Sequence, residues 1–141
     1  MRFWDSSAIV PMLVAEPTSG AMRALLADDL TLAAWWATPI ECASAIARRE
    51  RVGAVTAQAA ATSLAALDAL ERSWSEIPPS TTLRHLARRI VRTHELRAAD
   101  AFQLAAAIIA AADAPTTLPF VTLDERLALA ADREGFPVLP G

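Results

Sequence analysis

Lysine is absent from this 141-residue chain; all thirteen basic residues are arginine. That removes the P-loop lysine, the lysine that accompanies aspartates in phosphoreceiver domains, and any Schiff-base chemistry. Cysteine is nearly absent as well. Cys42 alone cannot close an internal disulfide and has no CxxC partner for a zinc site, so a reducing compartment, by default the cytoplasm, is expected. Long apolar runs are missing: the longest, 101–112, contains Gln103 and falls well short of the roughly twenty residues a membrane span requires. A secretory leader is not expected, because Asp5 interrupts the apolar stretch after Arg2, Pro11 breaks it, and no small-residue cleavage site follows Ala15. Excess positive charge is lacking too. A net charge of −3 and a pI near 5.3 give no global attraction to polyanions, so a nucleic-acid partner would have to be held locally or through a cation.

What is present is apolar, at 54% of residues, and sufficient for one compact domain spanning 1–141. No repeat, low-complexity linker or long charge run divides it. Periodicity predicts an alternation of strands and helices. Strands are expected at 2–5, 31–35, 75–77 and 118–122, with a final edge strand at 136–139. Helices are expected from Ser6 to near Pro17, from Thr18 to Asp28, from Thr38 to about Gly53, and from Thr56 to about Trp74 with Leu64, Leu67 and Leu70 as its core stripe. Three more follow, from Ser80 or Thr81 to His94, from Ala98 to Ala112, and from Asp124 to Arg133. The expected fold is a three-layer α/β/α sandwich with a mostly parallel central sheet.

Four acidic residues recur at the same kind of place. Asp5, Glu41 and Asp124 each follow an extended apolar run, and Asp100 opens the alanine-rich helix. Where strands alternate with helices, strand carboxyl ends and helix amino ends share one edge of the sheet, and ligands bind there. Separations of 36, 59 and 24 positions would then collapse into one pocket. Each acid also has a plain structural explanation. Thr38-Pro39-Ile40-Glu41 reads as a capping box, Asp124 can cap the last helix, and Asp100 suits a first helical turn. Asp5 is the hardest to explain structurally, since an aspartate closing an apolar strand has no role in the ladder.

Such a cluster needs a cation. Two carboxylates about 4 Å apart repel by roughly 1 kcal/mol in water and roughly 4 kcal/mol at an effective dielectric of 20. All-oxygen ligation suits Mg²⁺ or Mn²⁺. A cation of that kind can bind a phosphodiester oxygen, acidify a bound water and stabilise a leaving oxygen, so phosphodiester hydrolysis follows as the reaction class.

The segments Asp5-Ser6-Ser7-Ala8, Glu41 at the start of its helix, Arg97-Ala98-Ala99-Asp100-Ala101 and Thr122-Leu123-Asp124 together resemble the PIN-domain ribonucleases. In length and spacing the chain is most similar to the VapC-type toxins of toxin–antitoxin pairs. The resemblance covers essentially the whole chain. It implies a PIN-like fold, Mg²⁺- or Mn²⁺-dependent cleavage of RNA, a homodimer and a cognate antitoxin protein. It also implies Asp5, Glu41, Asp100 and Asp124 as the metal-holding catalytic set, with Ser7 and Thr122 as hydrogen-bonding supports. Glu125 reads as helix surface and is left out. Two other classes stay open: a non-catalytic PIN-like binding module that uses the carboxylates as caps, and a metal-dependent phosphatase of small phosphate esters. A haloacid-dehalogenase-like phosphatase wants a second aspartate two residues after the first, where this chain has Ser7.

Arg84, Arg88 and Arg92 recur at helical spacing, with His85 and Arg89 on the adjoining row. They read either as an RNA-phosphate track or as a solvated face. Arg48, Arg49 and Arg51 form a second basic patch with the same two readings. Cys42 reads as a small buried residue, and Trp35 and Trp36, inside the second apolar run, read as core and interface in preference to base-stacking platforms.

Overall fold

The computed structural model describes residues 1–141. The short apolar stretches reach the core as strands, which send alternate side chains to opposite faces of a sheet. In β1 (Arg2–Trp4) Phe3 faces one way and Trp4 the other. In β2 (Leu32–Trp35) Ala33 and Trp35 join Phe3, while Leu32 and Ala34 join Trp4. In β4 (Phe120–Val121) the same division separates Phe120 from Val121. β3 (Ser75–Ile77) and β5 (Val138–Leu139) form the edges. The order is β3-β2-β1-β4-β5, and all four pairings are parallel.

Helices α1 (Ser6–Leu13), α2 (Ser19–Asp28), α3 (Thr38–Arg51) and α4 (Ala57–Glu71) cover the Trp4 face through Ile9, Met22, Ile46 and Leu67. Helices α5 (Thr81–Thr93), α6 (Ala98–Ala111) and α7 (Glu125–Arg133) cover the Phe3 face. Phe3 lies opposite Phe120 in the register and stacks on it with ring centroids 5.3 Å apart. Truncating either ring to alanine in such a core costs about 3–5 kcal/mol. Ala101, Ala105, Ala106 and Ala107 are fully buried in α6; their small side chains let α6 sit close between α5 and the sheet.

Several expected boundaries shift, each for a local reason. α1 stops at Leu13 instead of reaching Pro17, because Val14 turns to an extended conformation, is buried, and gives its carbonyl to the Ser19 hydroxyl at 3.2 Å. α4 stops at Glu71 because Trp74, only 8% exposed, enters the core ahead of β3. The buried stripe of α4 is Ala60, Ser63 and Leu67, while Leu64 is partly exposed. The helix is rotated so that the Ser63 hydroxyl donates to the Leu13 carbonyl at 2.7 Å. β4 is shorter than expected since the Leu118 N–H closes the 3-10 turn Pro115–Thr117 through the Pro115 carbonyl. Phe136 lies just past α7 and its N–H donates back to the Ala131 carbonyl of that helix, so the last strand is confined to 138–139. No helix is long and apolar enough to cross a membrane.

Candidate active site

Parallel strands end on one edge, so Asp5 after β1, the turn leading from β2 into α3, and Thr122–Asp124 after β4 are brought together there. Asp5 occupies the N-cap position of α1, yet its carboxyl does not cap that helix. Its Oδ1 accepts the Ser7 hydroxyl at 2.8 Å instead, and the residue is 3% exposed. Ser7 Oγ also accepts the Leu123 N–H at 2.9 Å. The Thr122 hydroxyl lies 3.3 Å from Ser7 Oγ. Thr122 Oγ1 accepts the Asp124 N–H at 3.0 Å, so these hydroxyls join the ends of β1 and β4 around Asp5. Burial pushes the Asp5 carboxyl up to about 7, opposed by the Ser7 and Thr122 hydroxyls and reinforced by the charges of Asp124 and Glu41.

The capping box expected at Thr38–Glu41 does not form. The N-cap is Ala37, without a side-chain cap bond, and both members of the expected box face the site instead. Thr38 is fully buried and its Oγ1 accepts Gln103 Nε2 at 3.0 Å. Glu41 Oε1 accepts the Ser6 hydroxyl at 3.1 Å, and Oε2 accepts the second Gln103 amide proton at 3.0 Å. An ionised carboxylate only accepts, which fixes Nε2 toward Glu41 and leaves Gln103 Oε1 buried without a partner. Burial raises the Glu41 pKa and the Asp100 charge adds to it, while the bonds from Ser6 and Gln103 oppose.

Asp100 lies in the first turn of α6, half-buried, and does not cap it. Burial and then the charge of Asp124 raise its pKa; Arg97 opposes. Asp124 does cap α7, its Oδ1 accepting the Leu127 N–H at 2.9 Å. One oxygen therefore has the structural role, and the charge still faces Asp5 and Asp100. Asp5, Glu41, Asp100 and Asp124 thus form a closed ring of electrostatic neighbours. None of the four takes part in any of the five ion pairs of the molecule.

An acidic ring in which Arg97 acts on Asp100 without forming an ion pair suits a divalent cation as its counter-charge, and its all-oxygen donors match a hard ion. In the arrangement seen, no three acidic, histidine or cysteine side chains converge closely enough to hold one ion, so ligation requires side-chain rotation. Chain reading missed two participants, Ser6 and Gln103. Ser6 looked like a helix start beside Ser7, and Gln103 like a lone polar residue in an apolar helix. The one available signal was a glutamine one turn after Asp100 on that helix.

The arginines of α5 divide between two surfaces. Arg84 lines a groove with Trp35, Trp36 and Phe102. Arg88 and Arg92 line an open trough with His85, Arg89 and Thr93. Since all five of those residues belong to one helix, the trough is a gap between long side chains rather than an enclosed cavity. Arg89 is engaged, donating to Glu134 at 2.8 Å, and His94 meets the same carboxylate at 2.9 Å. In the second basic patch, Arg49 pairs with Glu16. Cys42 is fully buried and its thiol is pushed up to about 12, first by burial and then by the charges of Glu41 and Asp5, which removes it as a nucleophile. Trp35 lies in the core as expected, whereas Trp36 is 55% exposed.

The sequence matches the PIN domain family profile over residues 2–133. No curated protein matches it. Among solved structures, it resembles the Mycobacterium tuberculosis VapC20, a Sarcin-Ricin loop cleaving toxin, with a TM-score of 0.70, 16% identity, and 96% of each chain covered. FitAcB from Neisseria gonorrhoeae gives 0.65 at 17% identity, covering 98% of this chain and 96% of that one. PAE2754 from Pyrobaculum aerophilum gives 0.64 at 20% identity, covering 92% and 78%. At these identities the likeness is one of fold.

Proposed function

We propose that this chain, which belongs to the PIN domain family, is a Mg²⁺- or Mn²⁺-dependent endoribonuclease acting as the toxin of a toxin–antitoxin pair. The observation that carries the reading is the set of four carboxyls on one sheet edge, where Asp124 and Glu41 bear on Asp5, Asp100 on Glu41 and Asp124 on Asp100, with no cation of the chain in an ion pair with any of them. VapC20, which shares the fold, is a Sarcin-Ricin loop cleaving toxin and supports RNA as the substrate class. The homodimer and the cognate antitoxin belong to the same reading. An antitoxin arginine entering the ring would supply the charge that a metal supplies.

Asp5, Glu41, Asp100 and Asp124 would hold the cation. When bound, it would polarise the phosphodiester and acidify a water. The chain's own residues orient and exchange protons around it. Ser7 holds the Asp5 carboxyl through Oδ1, and the Thr122 hydroxyl stands beside both. Gln103 and Ser6 hold Glu41 from either side, and its raised pKa suits it to accept a proton from the attacking water. Arg84, Arg88 and Arg92 would meet RNA phosphates, giving an acidic protein a local cationic surface.

The test is cleavage of a diverse RNA pool by the purified chain, freed of any antitoxin, in Mg²⁺ or Mn²⁺ and in EDTA. Cleavage that EDTA stops is expected. A folded protein that leaves the pool intact in both metals ends the enzyme reading.

A further inference from the structure

We propose that the groove between the end of β2 and the start of α5 holds a nucleobase of the RNA strand, stacked on Trp36, with Arg84 on a neighbouring phosphate. This rests on the nuclease reading and assigns it a substrate-binding subsite. Trp35 and Trp36 are adjacent in the chain but have opposite environments. Trp35 is 5% exposed and stacks on Phe102 with centroids 5.6 Å apart and planes 14° apart. Trp36 is 55% exposed and meets Trp35 edge to face at 6.3 Å and 67°. A stacked pair of a buried Trp35 and a partly buried Phe102 therefore supports an indole whose remaining surface faces water.

That indole lines a groove of about 480 Å³ with Pro79, Arg84 and Phe102 among its walls. The groove and the acidic ring draw on two of the same segments. Trp36 lies on the short connection that leads into the helix of Glu41, and Phe102 lies two residues after Asp100 in the first turn of α6. The shared segments tie the groove to the site in the fold, and the nucleotide held there is one flanking the scissile one.

Arg84 decides the chemistry of the ligand. It is exposed and takes part in none of the five ion pairs. An apolar protein segment laid into the groove would desolvate that guanidinium without a partner, which is costly. A nucleotide brings both things the groove lacks, a flat π face for the indole and an anionic group for the arginine. Aromatic platforms beside cationic side chains are how single strands are held without sequence readout.

The test uses a labelled random-sequence single-stranded RNA pool and reads anisotropy in EDTA and kcat/KM in Mg²⁺ for the full chain. Trp36→Ala and Trp36→Leu should weaken binding, or lower kcat/KM, about 5- to 150-fold, the loss of one stacked base. Trp36→Phe should stay within about threefold of wild type, since any aromatic face stacks. Arg84→Ala should lower the slope of log Kd against log salt by about 0.7. If metal-free binding is too weak to measure, kcat/KM alone decides. Trp36→Leu behaving like wild type would reduce the contact to an apolar one and overturn the stacking. Loss of a dimer in Trp36→Ala with RNA binding and cleavage intact would assign the indole to a subunit interface. Wild type that cleaves RNA while every Trp36 variant cleaves equally well removes the groove and spares the nuclease; a wild type that neither binds nor cleaves removes both.

Discussion

Gln103 Nε2 lies 3.0 Å from Glu41 Oε2 and 3.0 Å from Thr38 Oγ1, so a side chain from α6 sets the orientation of a carboxyl on α3. The two helices thereby fix the spacing between Glu41 and Asp100, which lies one turn before Gln103 on the same helix. The unpartnered Oε1 is the cost of that orientation.

Replacing Gln103 by leucine should lower cleavage about 10- to 100-fold and raise the Mg²⁺ concentration for half-maximal activity, as loss of a partner to a metal ligand does. Stability should fall by about 1–3 kcal/mol, because leucine leaves Thr38 Oγ1 and Glu41 Oε2 without their donor, a cost only partly offset by removal of the orphaned oxygen. A Mg²⁺ titration of initial rate, set beside a thermal melt, checks both. An unchanged titration would show that Glu41 is oriented without Gln103.

Asp124 and Asp100 should respond differently to the same exchange. Asp124→Asn keeps an N-cap acceptor and should retain the stability of α7, whereas Asp124→Ala should cost about 1 kcal/mol. Both should lose cleavage by orders of magnitude if Asp124 holds metal. Asp100 caps nothing, and burial and Asp124 disfavour its charge more than Arg97 favours it, so Asp100→Asn should be as stable as wild type or more so without metal. Its Mg²⁺-induced rise in melting temperature should shrink. Asp100→Asn that keeps its activity and its full Mg²⁺ response would take Asp100 out of the site.

Asp5 makes stability depend on pH in the direction opposite to the usual paired carboxylate. Its pKa is about 7 in the folded chain against 3.8 for the free group. Between those values the folded state holds a proton that the unfolded state has lost, so stability falls as pH rises from about 4 to 7 and is level above. The full penalty is on the order of 4 kcal/mol, at 1.36 kcal/mol per unit. Asp5→Asn should remove this slope and melt higher than wild type at pH 8 in EDTA. Melting curves at intervals from pH 4 to 8 decide it; parallel profiles for the two proteins would mean that Asp5 is ionised throughout.

Arg88 and Arg92 have no acidic partner, unlike Arg89 with Glu134. If both meet phosphates, the double exchange Arg88→Ala with Arg92→Ala should weaken RNA binding and reduce the salt slope by about 1.4, near 0.7 for each contact on a single strand. Binding followed across a range of salt gives the slope directly. An unchanged slope would make this a solvated helix face.

Some of this was legible along the chain because it depends on local chemistry. The alternation of apolar strands with helices, the Ser80 cap of α5 and the stop of α3 before Gly53, at φ 76°, follow from residue preferences within a few positions. The positions of Asp5, Glu41, Asp100 and Asp124 at strand and helix ends were legible for the same reason, since parallel topology sends all such ends to one edge.

The tertiary structure decided which local reading won at each acid. Thr38 and Glu41 form a sound capping box as a tetrapeptide, but α6 brings Gln103 within reach across 62 residues, and a buried amide donor outcompetes the helix's own N–H groups. Asp124 kept its cap because α7 starts beside it with no competing donor. Adjacent Trp35 and Trp36 have the same residue type and differ only in which side of the strand end packs against Phe102. The rotation of α4 that buries Ser63 and exposes Leu64 is likewise set by contact with α1. Sequence determines the menu of local partners; packing determines distances between segments, and hydrogen bonds and charges act only over those distances.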